Sequence, residues 1–299
     1  MTTSIPYIRE SVPVDGGRLT VGIWGQTGPL VVAVHGITSS HLAWRLPAEL
    51  LGADHRIVAV DLGGRGGSRD LPGPYGMARH AADVAAVIEA YGDGEPVVAV
   101  GHSMGGFVAV ELARRHPRLV RRLVLVDGGA PLPLPPGIDP HGDDDSIAAA
   151  IAQTVGTAFA RLSMTFPDRE TYHAMWRAHP SFADWNDAMT AYVDYDLVGE
   201  EPRLCPACRS EAAVRDGRDV YALPGVEPAP LPVPAVFLRA PRGLLNEPEP
   251  LYPAGYATRW LPGVTEVEVS DVNHYTITLG PVGAAAVAAA VRAATHSRA

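Results

Sequence analysis

The sequence predicts an α/β fold in which a mainly parallel sheet is covered by helices. Short apolar runs alternate with longer segments of helical spacing, which is typical of such a sheet. Strands buried on both faces are expected to read as nearly continuous apolar runs. The predicted strands are residues 19–24, 30–35, 57–61, 97–101, 123–127, 235–239 and 266–269, and the predicted helices are residues 42–51, 77–91, 104–116 and 282–294.

A helical insertion is predicted between the two parts of the sheet. The proline-rich stretch that starts at Ala130, APLPLPPGIDPHGDDD, ends the alternating pattern, and a second one, LPGVEPAPLPVP, precedes the strand at 235–239. Between them the chain carries helical patterns, two tryptophans and no clear strand. We therefore expect a helical cap over residues 131–230 and an α/β core domain formed by residues 1–130 and 231–299.

The composition excludes several classes of protein. The chain has 299 residues, of which 47% are hydrophobic and 19% charged, as in an ordinary globular protein. Its formal net charge is −9 and its arginines are interspersed with acids, so nucleic acid is not an expected partner. Residues 1–9 lack a signal-peptide pattern and no apolar run approaches the ~18 residues of a membrane span, which predicts no membrane association and a cytoplasmic location.

The two cysteines, Cys205 and Cys208, are interpreted as incidental surface thiols. A C-x-x-C pair can supply half of a zinc site, but no second Cys or His pair stands at a supporting spacing. The pair also lies away from the strand-to-helix junction that a thioredoxin-like redox motif requires. We therefore expect no metal site.

The motif VVAVGHSMGG carries the strongest chemical signal. A predicted buried strand runs through Gly101 to Ser103 and then into a helix, which matches the G-x-S-x-G nucleophile elbow in its required strand, turn and helix context. Glycines at positions 101 and 105 permit a sharp turn, so Ser103 would be exposed above the sheet in a strained conformation. We predict that Ser103 is a catalytic nucleophile.

A second motif, VVAVHGITSS, predicts where the oxyanion of a tetrahedral intermediate would bind. It ends a strand with His35 and Gly36, where a hydrolase with this elbow supplies a backbone N–H donor. We assign one donor to the amide of Ile37 and the other to the amide of Met104, which begins the helix after Ser103. Gly36 is expected to contact the substrate, and His35 is interpreted as structural.

The general base and its acid partner are expected at the carboxyl edge of the sheet. His274 stands just after the last predicted strand, and the chain order Ser, acid, His is the one this type of elbow uses. Two carboxylates compete for the role of the acid. Glu247 lies in the loop after the strand that precedes the last one, whereas Asp127 ends an earlier strand, 24 residues beyond Ser103. We favour Asp127 and keep Glu247 as the alternative.

The glycine-rich loop DLGGRGGS, residues 61–68, has a superficial likeness to a phosphate-binding loop. It follows a predicted strand, but it lacks the Gly-Lys-Ser/Thr ending that such a loop uses to hold phosphate and magnesium. We therefore interpret it as a tight turn and expect no nucleotide.

The order of the motifs HG, DLGGRGGS, GHSMGG, LVLVDGG and VNHYTI resembles the α/β-hydrolase superfamily over nearly the whole chain. The resemblance implies an α/β-hydrolase fold with an eight-stranded sheet, an active site under the cap, and no metal or organic cofactor. A carboxylate after the sixth strand is a known variant, seen in haloalkane dehalogenases and in zearalenone-type lactone hydrolases. Ser103 occupies the elbow position where dehalogenases and epoxide hydrolases carry an aspartate, so the resemblance implies lactone or ester hydrolysis.

These motifs predict a serine hydrolase that cleaves a hydrophobic carboxylic ester or lactone through an acyl-enzyme, with a zearalenone-like macrolactone as the finer hypothesis. The aromatic side chains of the cap suit an apolar small molecule, and Trp176 or Trp185 is the expected substrate contact. The same scaffold serves carbon–carbon bond hydrolases, thioesterases and lyases, and a non-catalytic ligand receptor is the alternative from another class. The sequence leaves the oligomeric state open, with a homodimer as one alternative.

Overall fold

Eight strands form the central sheet of the computed structural model, which describes residues 5–134, 137–143, 145–147, 149–150 and 159–296. In chain order they are β1 (Tyr7–Val14), β2 (Gly17–Trp24), β3 (Leu30–Val34), β4 (Arg56–Val60), β5 (Val97–His102), β6 (Val120–Val126), β7 (Ala235–Arg239) and β8 (Thr265–Glu268). Their order across the sheet is β1-β2-β4-β3-β5-β6-β7-β8. The pairs that include β2 are antiparallel and the others are parallel. The predicted mainly parallel, eight-stranded sheet is confirmed.

The sequence pattern gave no sign of the first strand. Its sequence is YIRESVPV, and most of its side chains are exposed because it forms an edge of the sheet. It pairs antiparallel with β2, from Tyr7 opposite Trp24 to Val14 opposite Gly17. A strand at the edge, with solvent around most of its side chains, needs no continuous apolar run, so periodicity does not reveal it.

Helices cover both faces of the sheet. They are α1 (Arg45–Leu51), α2 (Met77–Tyr91), α3 (Met104–Arg115), α4 (Arg169–Arg177), α5 (Asp187–Tyr195), α6 (Ser210–Arg218), α7 (Tyr256–Trp260), α8 (Thr276–Leu279) and α9 (Pro281–His296). Along β3, Val32 and Val34 belong to a buried cluster with residues of α2 and α3, whereas Val31 and Ala33 belong to one with residues of α1 and α9. The helix predicted after β3 begins as a 3-10 turn, His41–Trp44. No helix of the described ranges is long and apolar enough to cross a bilayer.

Residues 131–230, here called the cap segment, lie between β6 and β7 and contain α4, α5 and α6. The segment also holds a two-stranded ribbon, Leu197–Val198 paired with Cys205–Pro206, where the sequence pattern showed no strand. Five of its aromatic side chains belong to the same buried cluster as one face of the central sheet: Phe166, Tyr172, Trp176, Phe182 and Tyr192. The division into two domains stays a prediction. Parts of the predicted cap that lie outside the described residues are 135, 136, 144, 148 and 151–158.

The expectation of two surface thiols is wrong for Cys208. Its side chain is buried and packs with Leu162 and Ala213, so it is part of the interior of the cap segment. Cys205 is half-buried, and both thiols are free. Within the described ranges, no three His, Cys, Asp or Glu side chains are grouped where they could hold a metal ion.

Candidate active site

Ser103 occupies the sharp turn between β5 and α3. Its backbone has φ 53° and ψ −125°, a conformation that residues other than glycine rarely adopt and that costs roughly 1–3 kcal/mol. Two backbone hydrogen bonds hold the turn. The Ser103 N–H donates to the Val126 carbonyl at 3.0 Å, and the Gly106 N–H donates to the Ser103 carbonyl at 2.9 Å. The serine therefore stands at the carboxyl end of β5, where a helix begins.

Glycines surround the serine because neighbouring backbone approaches it too closely for a side chain. A methyl group added to Gly36 would lie 3.2 Å from Ser103 Cβ and 3.6 Å from its Oγ. A methyl group added to Gly128 would lie 2.0 Å from the Ser103 carbonyl oxygen. Gly36, which was expected to contact the substrate, therefore leaves open the space beside the serine hydroxyl.

The structure brings His274 and Asp127 into contact. His274 Nδ1 lies 2.7 Å from Asp127 Oδ2, and both side chains are buried. The other carboxylate oxygen of Asp127 accepts a hydrogen bond from the Ala240 N–H at 3.0 Å. Glu247 is exposed and accepts a hydrogen bond from the Leu245 N–H at 2.6 Å. Of the two carboxylates that the sequence offered, Asp127 is the one beside the histidine.

His102 supports the backbone of His274, a contact that the sequence pattern gave no reason to expect. The His102 Nε2–H donates to the His274 carbonyl at 2.8 Å, and the two rings lie 4.8 Å apart. Burial, followed by the neighbouring His274, holds the pKa of His102 well below its usual value. A neutral His102 therefore anchors the loop of His274. The position of His102 next to Ser103 marked it as a residue near the site. Its partner could not be predicted, because His274 is 172 residues away in the chain.

His35 orients the peptide that contains the Ile37 amide. The Leu62 N–H donates to His35 Nε2 at 3.0 Å, so Nδ1 carries the ring proton and donates to the Gly36 carbonyl at 2.7 Å. A trans peptide directs its C=O and N–H to opposite sides, so this hydrogen bond also sets the direction of the Ile37 N–H. Burial lowers the pKa of His35 from 6.5 to about 4, which keeps the ring neutral near pH 7.

Ser103 and His274 line one cavity of about 160 Å³ between the sheet and the cap segment. Ile37 and Met104, the predicted oxyanion donors, line the same cavity. None of the described lining residues is Asp, Glu, Lys or Arg, so the wall offers aliphatic, aromatic and neutral polar groups. The cap segment contributes Leu132, Phe159, Tyr192, Gly217, Val220 and Tyr221.

The two tryptophans that were expected to contact the substrate lie elsewhere. Trp176 is buried, with the Phe182 ring 4.8 Å away and the Arg161 guanidinium 4.9 Å from the centre of its own ring. Trp185 donates from Nε1 to the Thr190 hydroxyl at 2.8 Å. Neither tryptophan is among the described residues that line the cavity. Both tryptophans pack within the protein, which is the commoner role of buried aromatic side chains.

The lowered pKa of His35 predicts a pH dependence of stability. Between pH 6.5 and about 4 the unfolded chain binds a proton at this position and the folded chain does not. The free energy of unfolding should therefore fall as the pH falls through this window, with His35 contributing up to about 1.4 kcal/mol per pH unit. Urea unfolding across this window should show a shallower dependence for His35→Gln than for the native chain. The matched control His296→Gln, on the exposed last turn of α9, should keep the native dependence, and equal slopes in all three proteins would contradict the assignment.

Solved structures that resemble this chain share its architecture over nearly its full length. The thioesterase domain from the curacin biosynthetic pathway superposes with a TM-score of 0.70 at 22% identity, and the match covers 96% of this chain and 99% of that domain. E-2-(acetamidomethylene)succinate hydrolase superposes with a TM-score of 0.72 at 23% identity, covering 96% of this chain and 100% of that one. At such identities the likeness shows the fold.

Curated relatives are similar over a shorter stretch. An uncharacterized protein of Mycobacterium tuberculosis is 35% identical over 116 residues, which is 39% of this chain and 33% of that protein. Lipase LipV of the same organism is 40% identical over 110 residues, 36% of this chain and 41% of the lipase. The matches thus span about two fifths or less of these relatives. The model of the alpha/beta hydrolase fold family matches residues 29–207, more than half of the 299 residues, and the chain belongs to this family of hydrolases.

Proposed function

We propose that the protein is a serine hydrolase that cleaves a carboxylic ester or lactone of a neutral, hydrophobic substrate. One observation carries the proposal. Ser103, in a strained turn at the start of a helix, shares a cavity with His274, whose Nδ1 lies 2.7 Å from the buried Asp127. A nucleophile, a base and a carboxylate that orients the base are the parts that acyl transfer requires.

The proton transfers follow from the contact between His274 and Asp127. A carboxylate can only accept a hydrogen bond, so the proton sits on Nδ1 and Nε2 is free to act as the base. His274 Nε2 takes the proton as Ser103 Oγ attacks the carbonyl carbon, and Asp127 stabilises the imidazolium that forms. The proton then goes to the leaving oxygen. Water, deprotonated by the same nitrogen, cleaves the acyl-enzyme and regenerates the serine.

The negative charge on the carbonyl oxygen needs donors on the opposite side from the histidine. The Met104 amide stands at the N-terminal end of α3, where free N–H groups and the helix dipole favour an anion. The Ile37 amide is directed by the hydrogen bond between His35 and the Gly36 carbonyl. Each such donor is typically worth about 3 kcal/mol in the transition state.

The wall of the cavity supports a neutral, apolar substrate. The described lining residues include Phe107, Phe159, Leu132 and Val220, and none has a formally charged acidic or basic side chain. Burying an ionised group of a substrate against such a wall costs free energy that no partner charge returns. The best substrates are therefore expected to be uncharged on the side that enters the cavity.

A macrocyclic lactone such as zearalenone is the finer form of the proposal. It rests on the resemblance to the zearalenone-type lactone hydrolases, which is carried mainly by the 24-residue interval between Ser103 and Asp127. Trp176 and Trp185 give it no support, because neither is among the described residues that line the cavity. Zearalenone accordingly belongs in a substrate panel beside small lactones and aryl esters.

Ser103→Ala is expected to lower kcat by about 10⁴-fold or more on every ester or lactone that the native protein cleaves, since the attacking oxygen is gone. The measurement is turnover of a panel of 4-nitrophenyl esters, small lactones and zearalenone by both proteins, with thermal unfolding to establish that each is folded. A folded native protein without turnover on the whole panel would sink the proposal and favour a carbon–carbon bond hydrolase, a lyase or a receptor.

The identity of the acid is tested by two carboxylate-to-amide variants. Asp127→Asn should lower kcat by roughly 10³- to 10⁴-fold, because an amide facing Nδ1 favours the wrong tautomer of His274. Glu247→Gln, the matched control, changes an exposed side chain and should leave kcat within about twofold. Steady-state kinetics on one good substrate compares the two. The reverse ranking would move the acid to Glu247 and leave the serine mechanism intact.

A pair of esters whose acyl chains differ only in their end group, methyl or carboxylate, tests the neutral wall. The native protein should cleave 4-nitrophenyl hexanoate with kcat/KM at least about 10-fold higher than mono-4-nitrophenyl adipate, which ends in a carboxylate, because that charge would be buried without a partner. The net charge of −9 also repels the anion at long range, so the comparison is repeated at high salt, which screens that repulsion. Equal rates at high salt would contradict an uncharged acyl site.

A further inference from the structure

Arg65, in the glycine-rich loop after β4, is a fully buried cation beside the active site. Its Nε–H donates to the Ile37 carbonyl at 2.9 Å. Its Nη1 donates to the Gly63 carbonyl at 2.9 Å and to Asp216 Oδ2 at 2.6 Å. A buried guanidinium is costly unless it is paired, so these contacts hold the side chain in one place. Arg65 thus connects the loop of the predicted oxyanion donor to an acid of the cap segment.

Asp216 lies on α6 of the cap segment, and its side chain is fully buried. The same oxygen that accepts from Arg65 also accepts from His80 Nε2 of α2 at 2.8 Å. Burial raises the pKa of Asp216, but the nearby Arg65 and His80 outweigh burial and leave the pKa below its usual value. The acid therefore stays ionised. Its carboxylate connects α6 of the cap segment to Arg65 in the glycine-rich loop and to His80 on α2.

The ion pair sits where α6 packs against the glycine-rich loop and the loop of Ile37. A methyl group added to Gly64 would lie 2.6 Å from Ala212 Cβ of α6. The Arg209 N–H, just before α6, donates to the Gly64 carbonyl at 2.8 Å. A methyl group on Gly217 would lie 3.6 Å from Ile37 Cδ1. The helix that carries Asp216 thus packs against the loop that follows β3 and contains Gly36 and Ile37, here called the oxyanion loop.

Two successive carbonyls of the oxyanion loop are held by buried side chains. His35 holds the Gly36 carbonyl, in the peptide before Ile37, and Arg65 holds the Ile37 carbonyl, in the peptide after it. Because each peptide is planar, fixing both leaves Ile37 little freedom in φ and ψ. The direction of its N–H is then set before a substrate arrives, which is the condition for strong oxyanion stabilisation.

We propose that Arg65 and Asp216 are positioning residues that hold the Ile37 amide in its oxyanion-binding direction, so that docking of α6 on the core is coupled to the rate of acyl transfer. The inference rests on the proposed function, because it requires that Ile37 stabilise an oxyanion formed by attack of Ser103. Within the described part of the chain, the side-chain hydrogen bonds of Arg65 go to Ile37, Gly63 and Asp216, so it acts on the site through the loop of Ile37.

Three variants separate positioning from simple stability. Arg65→Lys keeps the charge but loses the planar fork that reaches the Ile37 carbonyl and Asp216 together. Asp216→Asn removes the anchoring charge. The double variant Arg65→Met with Asp216→Leu removes both charges, and such apolar replacement of a buried ion pair is often neutral or stabilising, so it should fold if a single variant does not. Arg239→Lys is the matched control, since Arg239 is also buried and paired with carboxylates, those of Glu266 and Glu268, but on the strands β7 and β8.

The readouts are kcat and KM on 4-nitrophenyl hexanoate and the inhibition constant of an alkyl trifluoromethyl ketone. Ser103 Oγ adds to the ketone carbon, its proton passes to His274, and the former carbonyl oxygen becomes an oxyanion in the same place as in the reaction. The variants of Arg65 and Asp216 should lose about 10- to 100-fold in kcat and in ketone affinity together, with KM nearly unchanged. Arg239→Lys should keep both native values even if its unfolding temperature falls.

Each outcome decides something. If the native protein cleaves the ester and binds the ketone while the folded variants do both at native strength, Arg65 and Asp216 have no positioning role and the serine mechanism stands. A variant that raises KM but keeps its ketone affinity overturns the inference as well, because ground-state binding would then be affected in place of the oxyanion. A folded native protein that neither cleaves the ester nor forms the ketone adduct overturns the proposed function and this inference with it.

Discussion

The strained backbone of Ser103 is the constraint that the rest of the site depends on. A conformation that costs roughly 1–3 kcal/mol persists only where its surroundings leave no alternative. Here the serine N–H is hydrogen-bonded to the neighbouring strand β6, and α3 begins at the next residue. A side chain at Gly128 would collide with the Ser103 carbonyl, and one at Gly36 would crowd the serine side chain. The sheet thus forces a turn that an isolated peptide of the same sequence would avoid.

The buried groups Asp127, Arg65 and Asp216 lie near the cavity but are not among the described residues that line it. Asp127 is in hydrogen-bond contact with His274, and Arg65 forms an ion pair with Asp216, so both buried acids have partners in the interior. None of the described residues that line the cavity is Asp, Glu, Lys or Arg, and Ile37 is one of them. Fixed dipoles supported by buried charges act strongly in a medium with little water, and they need no reorganisation when the charge of a transition state develops.

The sequence predicted correctly those features of the fold and site that depend on residues adjacent in the chain. Glycine spacing around Ser103 and the apolar run of β5 are properties of a few adjacent residues, and both correctly indicated a strand, a turn and a helix. Contacts across the chain have no such signature. Nothing near Arg65 in the sequence indicates Asp216, which is 151 residues away, and apolar spacing cannot distinguish Trp176, which is buried in packing, from a residue that faces a ligand.

The position of Asp127 at the end of β6 has a consequence for how this scaffold can change. In the proposed mechanism the acid is Asp127, so the loop after β7 need not carry a reacting group, and its Ala240 N–H donates a hydrogen bond to Asp127. Beyond that hydrogen bond, Leu244 forms part of the cavity wall. Changes of side chain at Leu244 can therefore reshape what the cavity admits while the contact between His274 and Asp127 is kept.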